Sequence, residues 1–92
     1  MIKSFLHKGL AELFSDGATK HINRPFHARI IERLDVMDAA AALRDLNVPG
    51  YDFHQLKGHK PPRYSIHVNG PWCLTFEFDG TDLLKVDFEQ YH

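Results

Sequence analysis

The sequence predicts an α+β domain, with helices packed on one face of a mainly antiparallel sheet. Apolar residues recur at helical spacing up to Leu46 and alternate singly from Phe53 onward. The change falls at Asn47-Val48-Pro49-Gly50, a turn cluster. The strands after it put apolar side chains on one side and polar ones on the other, as a sheet with one covered and one open face does.

Taken in order, Met1 to Phe5 alternates as a short strand would, and Lys8 to Ser15 places Leu10, Leu13 and Phe14 at helical spacing before the stop signal Asp16-Gly17. A longer helix follows Asn23, an expected N-cap, with Pro25 in its first turn. Phe26, Ile30, Ile31, Leu34 and Met37 form its apolar stripe, and His27, Arg29, Glu32, Arg33 and Asp35 cover the remainder. Ala40 to Leu46 adds a further turn or two. Candidate strands are Phe53 to Lys57, Arg63 to Val68, Trp72 to Phe78, and a last one in which Leu84, Val86 and Phe88 alternate with Lys85 and Asp87. For the hairpin around Asn69-Gly70-Pro71, a two-residue loop mixes polar and apolar faces. A three-residue loop keeps them apart, setting Val68 against Trp72, Ile66 against Leu74, Tyr64 against Phe76, His67 against Cys73, Ser65 against Thr75 and Arg63 against Glu77.

Ninety-two residues make one domain and leave no room for a two-domain enzyme. A 43% apolar share supports a real core, and 25% charged residues is ordinary for a globular chain. The single cysteine, Cys73, excludes an internal disulfide and any multi-cysteine zinc site. With no secretory leader visible, it points to a reducing, cytoplasmic compartment. The apolar runs are too short to span a bilayer, so no membrane partner is expected. A net charge of −1 argues against a protein that coats nucleic acid. The charge is graded, however: six basic against three acidic residues in Met1 to Arg33, and three against one in Gly50 to Asn69. Seven histidines can add positive charge wherever they face an anion.

His54, Lys57, Lys60, Arg63, His67 and the terminal Tyr91-His92 form a set that suits a phosphodiester. Cutting RNA without a metal needs a base for the 2′-OH proton, cations for the phosphate and an acid for the leaving 5′-oxygen, and imidazole, ammonium and phenol cover those roles. Each residue also has an ordinary structural reading. His54 can donate to a backbone carbonyl, Lys57-Gly58 can open a solvated loop, Arg63 can pair with Glu77 for under about 1 kcal/mol, and Tyr91-His92 can be a frayed tail. The spacing of His54 and His59 fits no zinc pattern, and no cofactor is expected. Cys73 as a nucleophile activated by His67 across the strand stands behind the reading of an incidental thiol.

Several motifs in order resemble the HigB branch of the RelE-type toxins: Met1-Ile2-Lys3-Ser4-Phe5 with His7-Lys8-Gly9-Leu10, Asp38-Ala39-Ala40, His54-x-Leu56-Lys57-Gly58, Ser65-Ile66-x-Val68-Asn69, Trp72-x-x-Thr75-Phe76-x-Phe78 and Asp87-x-Glu89-x-Tyr91-His92. The resemblance covers essentially the whole chain. It implies a compact RelE-like fold with a curved sheet, and a type II toxin that enters the ribosomal A site, cleaves messenger RNA there and stops translation. It also implies a helix-turn-helix antitoxin partner, with operator DNA contacted only through that antitoxin. By motif it makes His54, Lys57, Tyr91 and His92 the active-site positions, with Lys60, Arg63, His67 and Cys73 expected to face RNA.

Where the family motif reads Trp-Arg this chain reads Trp72-Cys73, and the missing arginine is the one the resemblance assigns to the scissile phosphate. Loss of such a guanidinium costs roughly a thousandfold by the arginine-finger precedent. Arg63, four residues along its strand from His67, is about 13 Å from that position at about 3.3 Å per residue. His67, opposite Cys73, is the expected substitute, with activity rising as its imidazole protonates. Pro61-Pro62 is expected to stiffen the loop that carries Lys60. Two other function classes stay open: an attenuated toxin that acts by binding its antitoxin and tuning operon repression, and a gyrase-poisoning toxin of the same fold.

Overall fold

The computed structural model describes residues 1–90. Helix α1 spans Lys8–Asp16 and α2 spans His27–Ala39. Strands β1 (His54–Leu56), β2 (Arg63–Asn69), β3 (Trp72–Phe78) and β4 (Leu83–Gln90) form one antiparallel sheet in the order β1-β2-β3-β4. The α+β layout is the one expected from the sequence. Leu10 and Leu13 of α1 and Ile30, Leu34 and Met37 of α2 are buried against Ile66, Val68, Leu74, Phe76 and Val86 of the sheet's inner face. Among the described residues no helix is long and apolar enough to cross a membrane.

Helix α1 begins at His7, whose Nδ1 accepts from the amide of Gly9 at 3.0 Å, and ends at Gly17, which takes the left-handed conformation at φ +79°. Gly9 is required for a different reason: a Cβ there would meet Cγ1 of Ile22 at 2.9 Å. The expected cap of the second helix differs. Arg24–Phe26 forms a separate 3-10 turn with Pro25 inside it, the Asn23 side chain makes no capping bond, and Phe26 holds the N-cap position of α2. A second 3-10 turn covers Leu43–Leu46.

Arg33 does not belong to the solvent face of α2. It is 7% exposed, lies over the Tyr51 ring at 4.4 Å, and donates from Nε to the His67 carbonyl at 2.6 Å. Arg29 donates to the neighbouring Val68 carbonyl at 3.2 Å. The reason lies in β2. From Arg63 opposite Glu77 to His67 opposite Cys73 the register is the expected one, but Asn69, not Val68, pairs with Trp72. A two-residue loop, Gly70-Pro71, closes the hairpin, and a bulge at Val68 restores the faces that such a loop alone would mix. Two arginines from the helix layer take up carbonyls beside this break in the ladder.

A second bulge changes β4. Thr75 pairs with Asp87 but Glu77 pairs with Leu84, so β4 carries one extra residue beside Lys85, which has φ +52°. Leu83 therefore turns inward and is buried, while Leu84, expected on the inner face, is only half-buried. The N-terminal segment supports this edge. It is not a regular strand but runs parallel to β4 through bridges at Ile2–Leu83 and Phe5–Val86. Ser4 accepts the amides of Lys85 (2.8 Å, through Oγ) and Val86 (3.1 Å, through its carbonyl). Asp38 at the end of α2 accepts the Ile2 amide at 2.9 Å, which ties the segment to the helices.

Candidate active site

The outer face of the sheet is less open than its polar pattern suggests, because Ser65, Cys73 and Thr75 are all buried. Arg63 reaches along the face, donating to the Thr75 hydroxyl at 3.0 Å and to the Lys85 carbonyl at 3.1 Å, with Glu77 at 3.5 Å. Its guanidinium thus comes within one hydroxyl of the pocket wall, closer than strand spacing alone indicates. The pair with Glu77 is nearly enclosed, both side chains being about one-tenth exposed, so it is not the solvated surface pair of the ordinary reading.

Above these residues lies an open pocket of about 500 Å³. His54, Lys57 and His59 come from β1 and the loop after it, Ser65 from β2, Cys73 and Thr75 from β3, and Glu89 and Gln90 from the end of β4. A smaller recess of about 260 Å³ lies between His54, Ser65, His67 and Cys73. The fold therefore gathers His54, Lys57 and Cys73 around one space and sets His67 at the adjoining one. Lys60 is exposed in the β1–β2 loop, next to the cis Lys60–Pro61 bond. Tyr91 and His92 lie outside the described residues, the last of which, Gln90, lines the pocket.

Two imidazoles have defined hydrogen bonds. Asp52 adopts φ +48°, a conformation aspartate tolerates better than most residues, and its carbonyl is 2.7 Å from Nδ1 of His54. A carbonyl only accepts, so the neutral ring carries its hydrogen on Nδ1 and its basic lone pair on Nε2. Across the sheet, Nε2 of His67 donates to the Gly70 carbonyl at 3.0 Å in the hairpin turn. A protonated His67 therefore still has Nδ1–H to offer. The Cys73 thiol points back along the same turn, with the Pro71 carbonyl at 3.9 Å from its sulfur.

Sequence reasoning named Glu89 only within the closing motif and did not place it at the pocket. It pairs with Cys73 on β4 and accepts a short hydrogen bond from the Thr75 hydroxyl. Cys73 thus sits between an imidazole on β2 and a carboxylate on β4. The signal was present in the strand alternation, but using it required the β3–β4 register, which the bulge conceals. Ser65 and His59 were legible only as members of a polar face and a loop. With imidazoles, an ammonium and hydroxyls around one open space, the site has the groups needed to hold a phosphodiester and to move protons at it.

The sequence pattern of the HigB-like toxins, described as the RelE-like toxin of the type II toxin-antitoxin system HigB, matches residues 3–92. The chain is also 40% identical to the endoribonuclease HigB of Proteus vulgaris over 92 residues, the full length of both.

Proposed function

The chain belongs to the HigB-like toxin family of type II toxin-antitoxin systems, and from this premise we propose that it is an endoribonuclease that cleaves messenger RNA in the ribosomal A site. A type II toxin has an antitoxin as its partner. We take that antitoxin to be a helix-turn-helix protein through which operator DNA is contacted. The single observation that carries the reading is the pocket in which His54 and Lys57 meet beneath an open entrance.

In the proposed reaction Nε2 of His54 accepts the 2′-OH proton, and the 2′-oxygen attacks the adjacent phosphorus. Lys57 balances charge on the phosphate. Tyr91 or His92 protonates the departing 5′-oxygen. One P–O bond forms and one breaks, leaving a 2′,3′-cyclic phosphate on one fragment and a 5′-hydroxyl on the other. The tautomer set by the Asp52 carbonyl supports His54 as the base. The test is end-group analysis of RNA cut on programmed ribosomes. Cyclic phosphate ends are expected, and 5′-phosphate ends would contradict the mechanism. A chain ending at Gln90 is expected to lose cleavage while keeping its Tm. Unchanged cleavage would remove Tyr91 and His92 from the mechanism.

A second reading has its own observation. Cys73 stands opposite Glu89, so the wall that should meet an anion carries a carboxylate and no guanidinium. On this reading the chain is an attenuated toxin that acts mainly through its antitoxin on operon repression. Growth arrest by the Cys73→Arg form but not by the chain as it stands would favour it.

A further inference from the structure

Ser65 differs from the polar groups around it. It is 1% exposed, and among the described residues its Oγ is the one buried side-chain nitrogen or oxygen with no hydrogen-bond partner. Thr75, directly across on β3, is also buried but fully engaged, accepting from Arg63 and donating to Glu89. His54, directly across on β1, holds the Asp52 carbonyl. A buried hydroxyl without a partner gives up its bonds to water and gains none in return, so folded proteins seldom keep one. Alanine would fill the position without that loss. Ser65 lines both the main pocket and the smaller recess, so a group that enters that space can supply the missing partner.

We propose that Ser65 is a further catalytic residue whose hydroxyl donates to a non-bridging oxygen of the scissile phosphate. The proposal rests on the nuclease reading above. A phosphate oxygen accepts but does not donate, and Lys57 and His59 line the same pocket with groups suited to an anion. Among the described residues no group holds the Ser65 hydroxyl, so its hydrogen can turn toward an incoming acceptor. In a wall that has Cys73 where the resembling motif has arginine, it supplies a neutral donor opposite His54 and in the same pocket as Lys57.

Ser65→Ala is the test, because it removes one buried oxygen and adds no bulk. The chain, its Ser65→Ala form and its His54→Ala form are compared for kcat/KM on programmed ribosomes and for Tm. If only the Cys73→Arg background cuts, the comparison is made there. The expected result is a loss of roughly 10- to 100-fold for Ser65→Ala, the range for a hydrogen bond to a charged group, with Tm unchanged or raised. A phosphorothioate at the scissile position should then slow the parent more than it slows Ser65→Ala. Full activity of Ser65→Ala beside an inactive His54→Ala overturns this inference alone. A loss of activity matched by a fall in Tm, or a phosphorothioate effect equal in both forms, also overturns it. Full activity of both variants, or no cleavage in either background, overturns it together with the nuclease reading.

Discussion

At Cys73 the sheet places a thiol between His67 on one side and Glu89 on the other. An arginine there would meet Glu89 before it met a substrate, so Cys73→Arg alone is expected to recover only part of the lost rate. Glu89→Gln should keep the hydrogen bond with Thr75 and remove the negative charge from the pocket. It is expected to raise kcat/KM by roughly three- to tenfold, the scale of one partly screened like-charge contact. A fall instead would give Glu89 a direct part in proton transfer. If His67 stands in for the guanidinium, His67→Ala should lower kcat/KM while leaving Tm close to that of the parent, and an unchanged kcat/KM would remove His67 from that role. His54 and Lys57 were singled out in the sequence by residue type and motif, and Cys73 by its place in the Trp-Arg motif, and the fold brings the three around one pocket. Ser65 and Glu89 stood in the motifs but were not assigned to the pocket, because in a strand they look like ordinary outward residues. Only the register across three strands and the burial of the outer face give them a place in the site.

Helices and strands were legible from periodicity, and the departures cluster at two bulges. Val68 allows a two-residue loop without mixing faces, and the extra residue near Lys85 exchanges Leu84 for Leu83 on the inner face. Neither irregularity leaves a pattern in the alternation, because a bulge shifts the phase of a period-2 signal within a single residue. The arginines of α2 follow from the first bulge. Arg33→Ala should remove the bond to the His67 carbonyl and the contact with the Tyr51 ring, costing about 2–3 kcal/mol and lowering Tm by roughly 10 °C or more in a domain of this size. Arg33→Lys should not restore the loss, since an ammonium lacks the planar fork that both donates and stacks. Thermal unfolding of the two variants checks this; a Tm within 2 °C of the parent would contradict the role given to Arg33. Gly9→Ala, though favourable for an isolated helix, is expected to destabilise by about 1–3 kcal/mol through crowding against Ile22.

Over the chain a net charge of −1 coexists with a locally basic pocket mouth because positive groups are unevenly placed. Lys57, His59 and Lys60 are exposed together at the pocket and its following loop, while Arg33 and Arg63 are largely enclosed. The helix layer meets the sheet at Tyr51, whose hydroxyl donates a short hydrogen bond to Glu32 and whose backbone carbonyl accepts from the His67 amide at 2.6 Å. Burial, followed by the bond to Glu32 and its negative charge, pushes the phenol up to about 12. Because the folded value lies above the ordinary value near 10, this group's contribution is complete below about pH 10 and is lost as pH rises through about 12. Tm should therefore fall between these limits, and less steeply in Tyr51→Phe. Equal slopes would contradict the assignment. Whether this pocket cuts messenger RNA is read by primer extension on programmed ribosomes with the chain and its His54→Ala form. Cuts within the A-site codon by the chain and none by His54→Ala are expected; identical patterns from both, or none from the chain and none from its Cys73→Arg form, would rule the nuclease reading out.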